Sequence, residues 1–206
     1  MLRALLVITL GVAALARAAA AEPCADDAAA LRGDLEHESR RAERWVLAWR
    51  IVYTTAAVGE FAAAASGAAS HDNTRSYWVG GAESAVAALG FWFAPLRIHV
   101  PPPSGDACTD RSMLRNAAER IASDESAAFW SAHIGGLILN AGGAVILAKT
   151  ASWRTGLVSF ASGYAVGLIS AYTQPRASWG RVREPSWTAG VSAGDGGWRL
   201  VVAGSF

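Results

Sequence analysis

Two uncharged runs, Ser126 to Ala148 and Thr155 to Pro175, constrain this chain more than anything else in it. Neither contains Asp, Glu, Lys or Arg, and each has the roughly 20 residues a helix needs to cross a hydrocarbon core. Only Lys149 to Arg154 separates them. Together they predict a membrane hairpin, and every other reading has to accommodate it.

The N-terminus points the same way. Met1, Leu2 and Arg3 precede the apolar run Ala4 to Leu15, and small residues end at Ala20 and Ala21. This pattern predicts a secretory signal peptide over 1–21, cut before Glu22. Pro23 directly before Cys24 spoils a lipoprotein cleavage site. In an exported chain the two cysteines, Cys24 and Cys108, are expected to pair.

The surroundings of the cysteines are related. Cys24 is followed by Asp26 and Leu31-Arg32, and Cys108 by Asp110 and Leu114-Arg115. Trp45 comes 21 residues after the first and Trp130 22 after the second; Pro95 with Arg97 answers Pro175 with Arg176. The expectation is an internal duplication of about 84 residues: a first hairpin repeat over 22–100, a second over 101–176, and a tail over 177–206. Each repeat opens with an amphipathic charged helix. Leu31, Leu35, Ala42 and Trp45 lie near one face of the first, and Met113, Leu114, Ala117 and Ile121 on one face of the second. Glu36 with Arg40 and Arg115 with Glu119 have the spacing of helical ion pairs. Both helices are expected to continue into their spans.

The spans of the first repeat, Trp45 to Ala69 and Tyr77 to Leu96, are less apolar. They contain Arg50, Glu60 and Glu83, and a charge at membrane depth costs roughly 3 kcal/mol on insertion scales. A soluble periplasmic bundle is the alternative, as is insertion of the second hairpin alone. With four spans and an exported N-terminus, the loop holding Lys149 and Arg154 faces the cytoplasm, where positive residues belong. The other inner loop is expected at His71 to Arg75. Both cysteines then lie in the oxidising compartment.

Small residues recur every four positions in the last two spans: Ala132, Gly136, Asn140 and Ala144, then Ser159, Gly163, Gly167 and Ala171. Such stripes let helices approach closely, so Gly136, Gly163 and Gly167 are expected at helix contacts. Trp45, Trp78, Trp130 and Trp153 fall near span ends, as interfacial aromatics do.

Counted from the inner loop, Glu60 and Glu83 sit at similar depth, and Asn140 is halfway along the third span. Two carboxylates close together in a low dielectric do not both ionise cheaply, so one binds a proton or a cation. Glu60, Glu83 and Asn140 are therefore the candidate proton or cation site, unless each is satisfied by a hydroxyl such as Thr54 or Tyr53. His133 reads as a polar packing residue. His37, His71 and His99 have no metal-ligand spacing, and neither a nucleophile elbow nor a phosphate-binding loop occurs. No enzyme, cofactor or metal is expected. The formal net charge of +1 comes from interspersed acids and bases, leaving no basic stripe for nucleic acid.

In the tail, Ser186 to Ala193 and Trp198 to Phe206 flank Gly194-Asp195-Gly196-Gly197, a β-hairpin pattern, with Arg97 to Val100 as a third short strand. Trp198, Leu200, Val202, Gly204 and Phe206 alternate in a way that resembles the closing strand of outer-membrane β-barrels. The rest of the chain lacks a barrel's series of alternating strands.

The fold expected is thus an all-α membrane bundle of two tandem helical hairpins with four spans, tied by one disulfide and ending in a small β-hairpin. The function expected is a non-enzymatic scaffold or accessory subunit of a bacterial-type cell envelope, in contact with membrane lipid and with other envelope proteins or itself. A small proton or cation transporter or channel subunit is the second expectation, and a soluble periplasmic module binding an apolar ligand the third. Helical spans favour the inner membrane.

Overall fold

The computed structural model describes residues 2–178, 188–194 and 197–203, with side-chain contacts over 24–178. Met1, the side chains of the predicted leader, and the turn and end of the tail lie outside the described residues. Four helices carry the fold: α1 (Leu2–Ala65), α2 (His71–Phe93), α3 (Ala107–Thr150) and α4 (Trp153–Thr173). Residues 22–65 of α1 and the whole of α3 each pass without interruption from a charged stretch into an apolar one, as the sequence predicts. Asp106 starts α3 by accepting from the Thr109 amide at 2.8 Å, and Ser152 starts α4 by accepting from the Thr155 amide at 3.1 Å. Each cap satisfies an amide that has no partner within its own helix.

The disulfide joins Cys24 to Cys108 with their Cα atoms 5.0 Å apart. It sets the charged halves of α1 and α3 side by side and parallel. Ala28, Leu35 and Ala42, seven residues apart, meet Leu114, Ala117 and Ile121 in a dry core. Leu35 and Leu114 are fully covered, each burial stabilising by about 1.5–3 kcal/mol. Asp27 reaches Arg111 at 3.3 Å and Arg115 at 3.9 Å, and Arg32 reaches Asp110 at 3.8 Å. Arg115 therefore pairs across the helices with Asp27, because the opposite helix offers a carboxylate within reach. Glu36 and Arg40 do meet, at 4.0 Å and in the open.

The segment between α2 and α3 closes this headpiece. Arg97 to Val100, expected as a third strand of the tail, instead lies across the helices without strand structure. Ile98 is buried in the core, the Ser39 hydroxyl donates to the Ile98 carbonyl at 3.2 Å, and Arg32 donates to the Pro101 carbonyl at 2.7 Å. A long apolar side chain at 98 gains more from that core than from a two-stranded sheet.

Beyond the headpiece, α2 runs back along α1 and α4 back along α3. The first turn falls at 66–70, where Gly67 takes φ +69°, a left-handed conformation that glycine adopts without steric cost. His71 to Arg75, expected as the loop, forms the opening of α2, with Asp72 in its first turn complementing the helix dipole. α1 packs closely on α2, and α3 on α4, whereas α2 and α4 touch sparsely.

The two parts of the molecule are inside out with respect to each other. In the headpiece the apolar residues are internal and most charges external, although Glu38 and Glu125 are buried, Glu38 accepting from the Ser178 hydroxyl at 2.8 Å. In the helical pairs below it, the exposed large hydrophobics run from Leu47 to Phe93 and from Trp130 to Tyr172, with Phe93 83% and Val158 67% exposed. Glu60, Glu83 and Asn140 lie on the inside. By length and composition α3 and α4 can cross a membrane, and only 17% of the most apolar window of each is buried. The disulfide belongs to an oxidising compartment.

Candidate functional site

The residues picked out by depth converge in space. Glu83 leaves α2 and reaches the surfaces of both α3 and α4: a methyl group added at Gly143 would collide with its carboxylate, and one at Gly163 would collide with Asn140 and come within 3.7 Å of Glu83 Oε2. The Asn140 amide donates back to the Gly136 carbonyl at 2.7 Å, leaving its oxygen turned toward Gly163. Glu60, on α1, accepts from the Ser84 hydroxyl at 3.0 Å and lies against Gly80. Ser84 is the residue after Glu83, so the two carboxylates occupy neighbouring positions along α2. Three helices thus deliver the acids and the amide to one layer.

That layer belongs to a partly open cavity of about 1250 Å³ lined by all four helices. It runs the length of the helical pairs, from Trp45 and Gln174 beside the headpiece to Asn73 and Arg154 at the far end. Close packing within each pair and sparse contact between α2 and α4 leave this space open. Two neighbouring carboxylates between apolar walls favour a bound proton or cation over double ionisation. One of them is short of partners: Glu83 Oε1 is fully covered and has no hydrogen bond among the described residues.

The partners suggested for the acids differ from those observed. Glu60 bonds Ser84, while Tyr53 stacks on Phe91, centroids 5.7 Å apart. Ser84 is legible in hindsight as a hydroxyl on the turn of α2 that faces Glu60. Gly143 is harder to see, because in the sequence it is one of two adjacent glycines in an apolar helix. Arg50 is accommodated near the headpiece end, donating to the Phe91 carbonyl at 2.8 Å and lying over the Trp92 ring at 4.7 Å. His133 packs between Phe129 and Tyr172, with Nδ1 3.2 Å from the Phe129 carbonyl.

Of the three glycines expected at helix contacts, only Gly163 meets a neighbour. Gly136 and Gly167 line the cavity, and a Cβ at either would find open space. The tightest approach of α3 and α4 is instead at Gly156, where a Cβ would press on the backbone of Ala144 and Ala148. The short turn between these helices brings their backbones together there. Among the described residues, no three His, Cys, Asp or Glu side chains form a group able to hold a metal ion.

Comparison with family models, with curated proteins and with solved structures gives no match.

Proposed function

We propose that the chain is an exported, four-span membrane protein that binds and moves a proton or cation through Glu60, Glu83 and Asn140. The observation that carries this reading is the convergence of the three side chains, from three helices, on one cavity that runs the length of the helical pairs. A scaffold or accessory subunit needs no such interior. A soluble module would cover Val158 and Phe93, whereas lipid solvates them without cost.

α3 and α4 are long and apolar enough to cross a membrane, and the four-span reading adds residues 45–65 and α2 by their length. Residues 45–65, α2, the second half of α3, and α4 each have about the 30 Å reach of a bilayer core, and each presents apolar side chains outward. The topology places the headpiece outside, with the disulfide, and puts the turns at 66–70 and 150–153 in the cytoplasm. The leader over 1–21 delivers the chain to that membrane. Two pairs, each a long helix followed by a short one, with the bridged cysteines 84 residues apart, support a duplicated hairpin. The tail is read as a hairpin, in keeping with the antiparallel pairing of 188–194 with 197–203, and four spans would leave it on the outer side.

The test is gradient-driven flux into vesicles containing the purified protein, followed with an enclosed pH dye and with labelled monovalent cations. Flux that disappears in Glu83→Gln and in Glu60→Gln is expected. Flux equal to that of empty vesicles, or unchanged in both variants, refutes the proposal and returns the chain to the scaffold role.

A further inference from the structure

The cavity is far larger than a proton or a bare metal cation needs. About 1250 Å³ exceeds the roughly 300–1,000 Å³ of ordinary small-molecule sites. Its walls are of two kinds. Glu60 and Glu83 supply negative charge at mid-length; Trp45, Tyr53, Tyr77 and Phe91 supply aromatic surface. The lining holds one basic side chain, Arg154, at the far end. An anion would meet two carboxylates and no facing cation along the middle of the cavity. A small hydrated metal ion would leave most of the apolar wall unused.

Resting on the reading of the cavity as a cation site, we propose that its ligand is a lipophilic organic monocation. The positive centre sits beside Glu83, and the apolar substituents lie along the aromatic wall of α1 and α2. The chemistry is complementary on both counts. A carboxylate between apolar walls attracts a weakly hydrated cation whose desolvation costs little, and aromatic faces attract a cation through the ring quadrupole. Burial of the apolar substituents contributes in proportion to area. Glu83 is the better placed of the two acids, since Glu60 is already engaged by Ser84.

The experiment is equilibrium binding of radiolabelled tetraphenylphosphonium to the full chain in lipid nanodiscs. Tetraphenylborate, of the same shape and opposite charge, is the control, and sodium is a competitor. Saturable binding of the phosphonium alone is expected, at least tenfold weaker in Glu83→Gln, retained in Glu83→Asp, and unaffected by millimolar sodium. Nanodiscs of each variant are checked for an intact disulfide and an unchanged melting temperature, so a loss of binding reports the site. Equal uptake of both ions, or phosphonium binding unchanged in Glu83→Gln, overturns the proposal as partition into lipid or apolar wall. Glu83-dependent flux of protons or sodium without phosphonium binding overturns the organic ligand and leaves the cation site standing. Absence of both overturns the two together.

Discussion

Replacing Gly143 by Ala is the sharpest mechanical probe of how α2 meets α3. A methyl group there would lie 2.9 Å from Val79 Cγ1 and on top of the Glu83 carboxylate. Ordinary carbon contacts begin near 3.5 Å, so Val79 must give way by roughly 0.6 Å, and Glu83, whose overlap is deeper, must leave its place. Overpacking of this kind costs about 1–3 kcal/mol, against which Ala gains about 1 kcal/mol over Gly in a helix interior. The net expected is a loss of about 0–2 kcal/mol. Gly167→Ala is the control, since its methyl would meet nothing within 4 Å, leaving only the helix gain. The two variants should therefore differ by about 1–3 kcal/mol. Thermal unfolding in detergent, followed by tryptophan fluorescence, reads this difference, and vesicle flux reads the displacement of Glu83. Gly143→Ala as stable as Gly167→Ala and fully active would refute the close approach of Glu83 to α3.

Two predictions concern the headpiece. The disulfide closes a loop of 84 residues, for which chain entropy gives up to about 4.5 kcal/mol; the double variant Cys24→Ser, Cys108→Ser should unfold at lower temperature, and an unchanged midpoint would mean the headpiece holds without its bridge. Hydrogen bonds from Ser104, side chain first and backbone amide second, together with the Arg32 charge, hold the Asp110 carboxyl below its ordinary 3.8. The stabilisation from this group is complete above about pH 3.8 and is lost as pH falls through the lowered folded value. On acidification wild type should thus lose more stability than Asp110→Asn, and parallel losses would sink the assignment.

Some of this architecture was legible and some was not, for physical reasons. Pairing of Cys24 with Cys108 follows from export and a count of two. Leu35, Ala42, Leu114, Ala117 and Ile121 recur at helical spacing, so the headpiece core can be read directly. Glu60 and Glu83 can be placed near one depth by counting residues from a turn, although moving the turn toward the N-terminus shortens the count to Glu60 as it lengthens the count to Glu83; the contacts of Glu60 with Gly80 and Ser84 fix the level. The turn itself was misplaced because His71 to Arg75 is polar, while the backbone reversal requires the positive φ of Gly67. Glycine stripes misled for another reason. Which glycine touches a neighbour depends on how each helix is rotated and how far the pairs splay, and neither quantity is written in the spacing of Gly136, Gly163 and Gly167. The cavity is a product of that splay, so its existence could not be read, although its polar residues could. Ile98 shows the remaining limit: a segment of β-forming residues between helices takes whatever surface buries it.

The most direct test of the central claim, a membrane bundle with its headpiece outside, is thiol accessibility in intact cells. Single cysteines are placed at Ser70, Ser104 and Ser152, with the native pair left bridged and so unreactive. Labelling of Ser104→Cys by an impermeant maleimide, with Ser70→Cys and Ser152→Cys shielded until lysis, is the predicted result. Labelling of all three positions without lysis would contradict the four-span account, and with it the cation site between the helices.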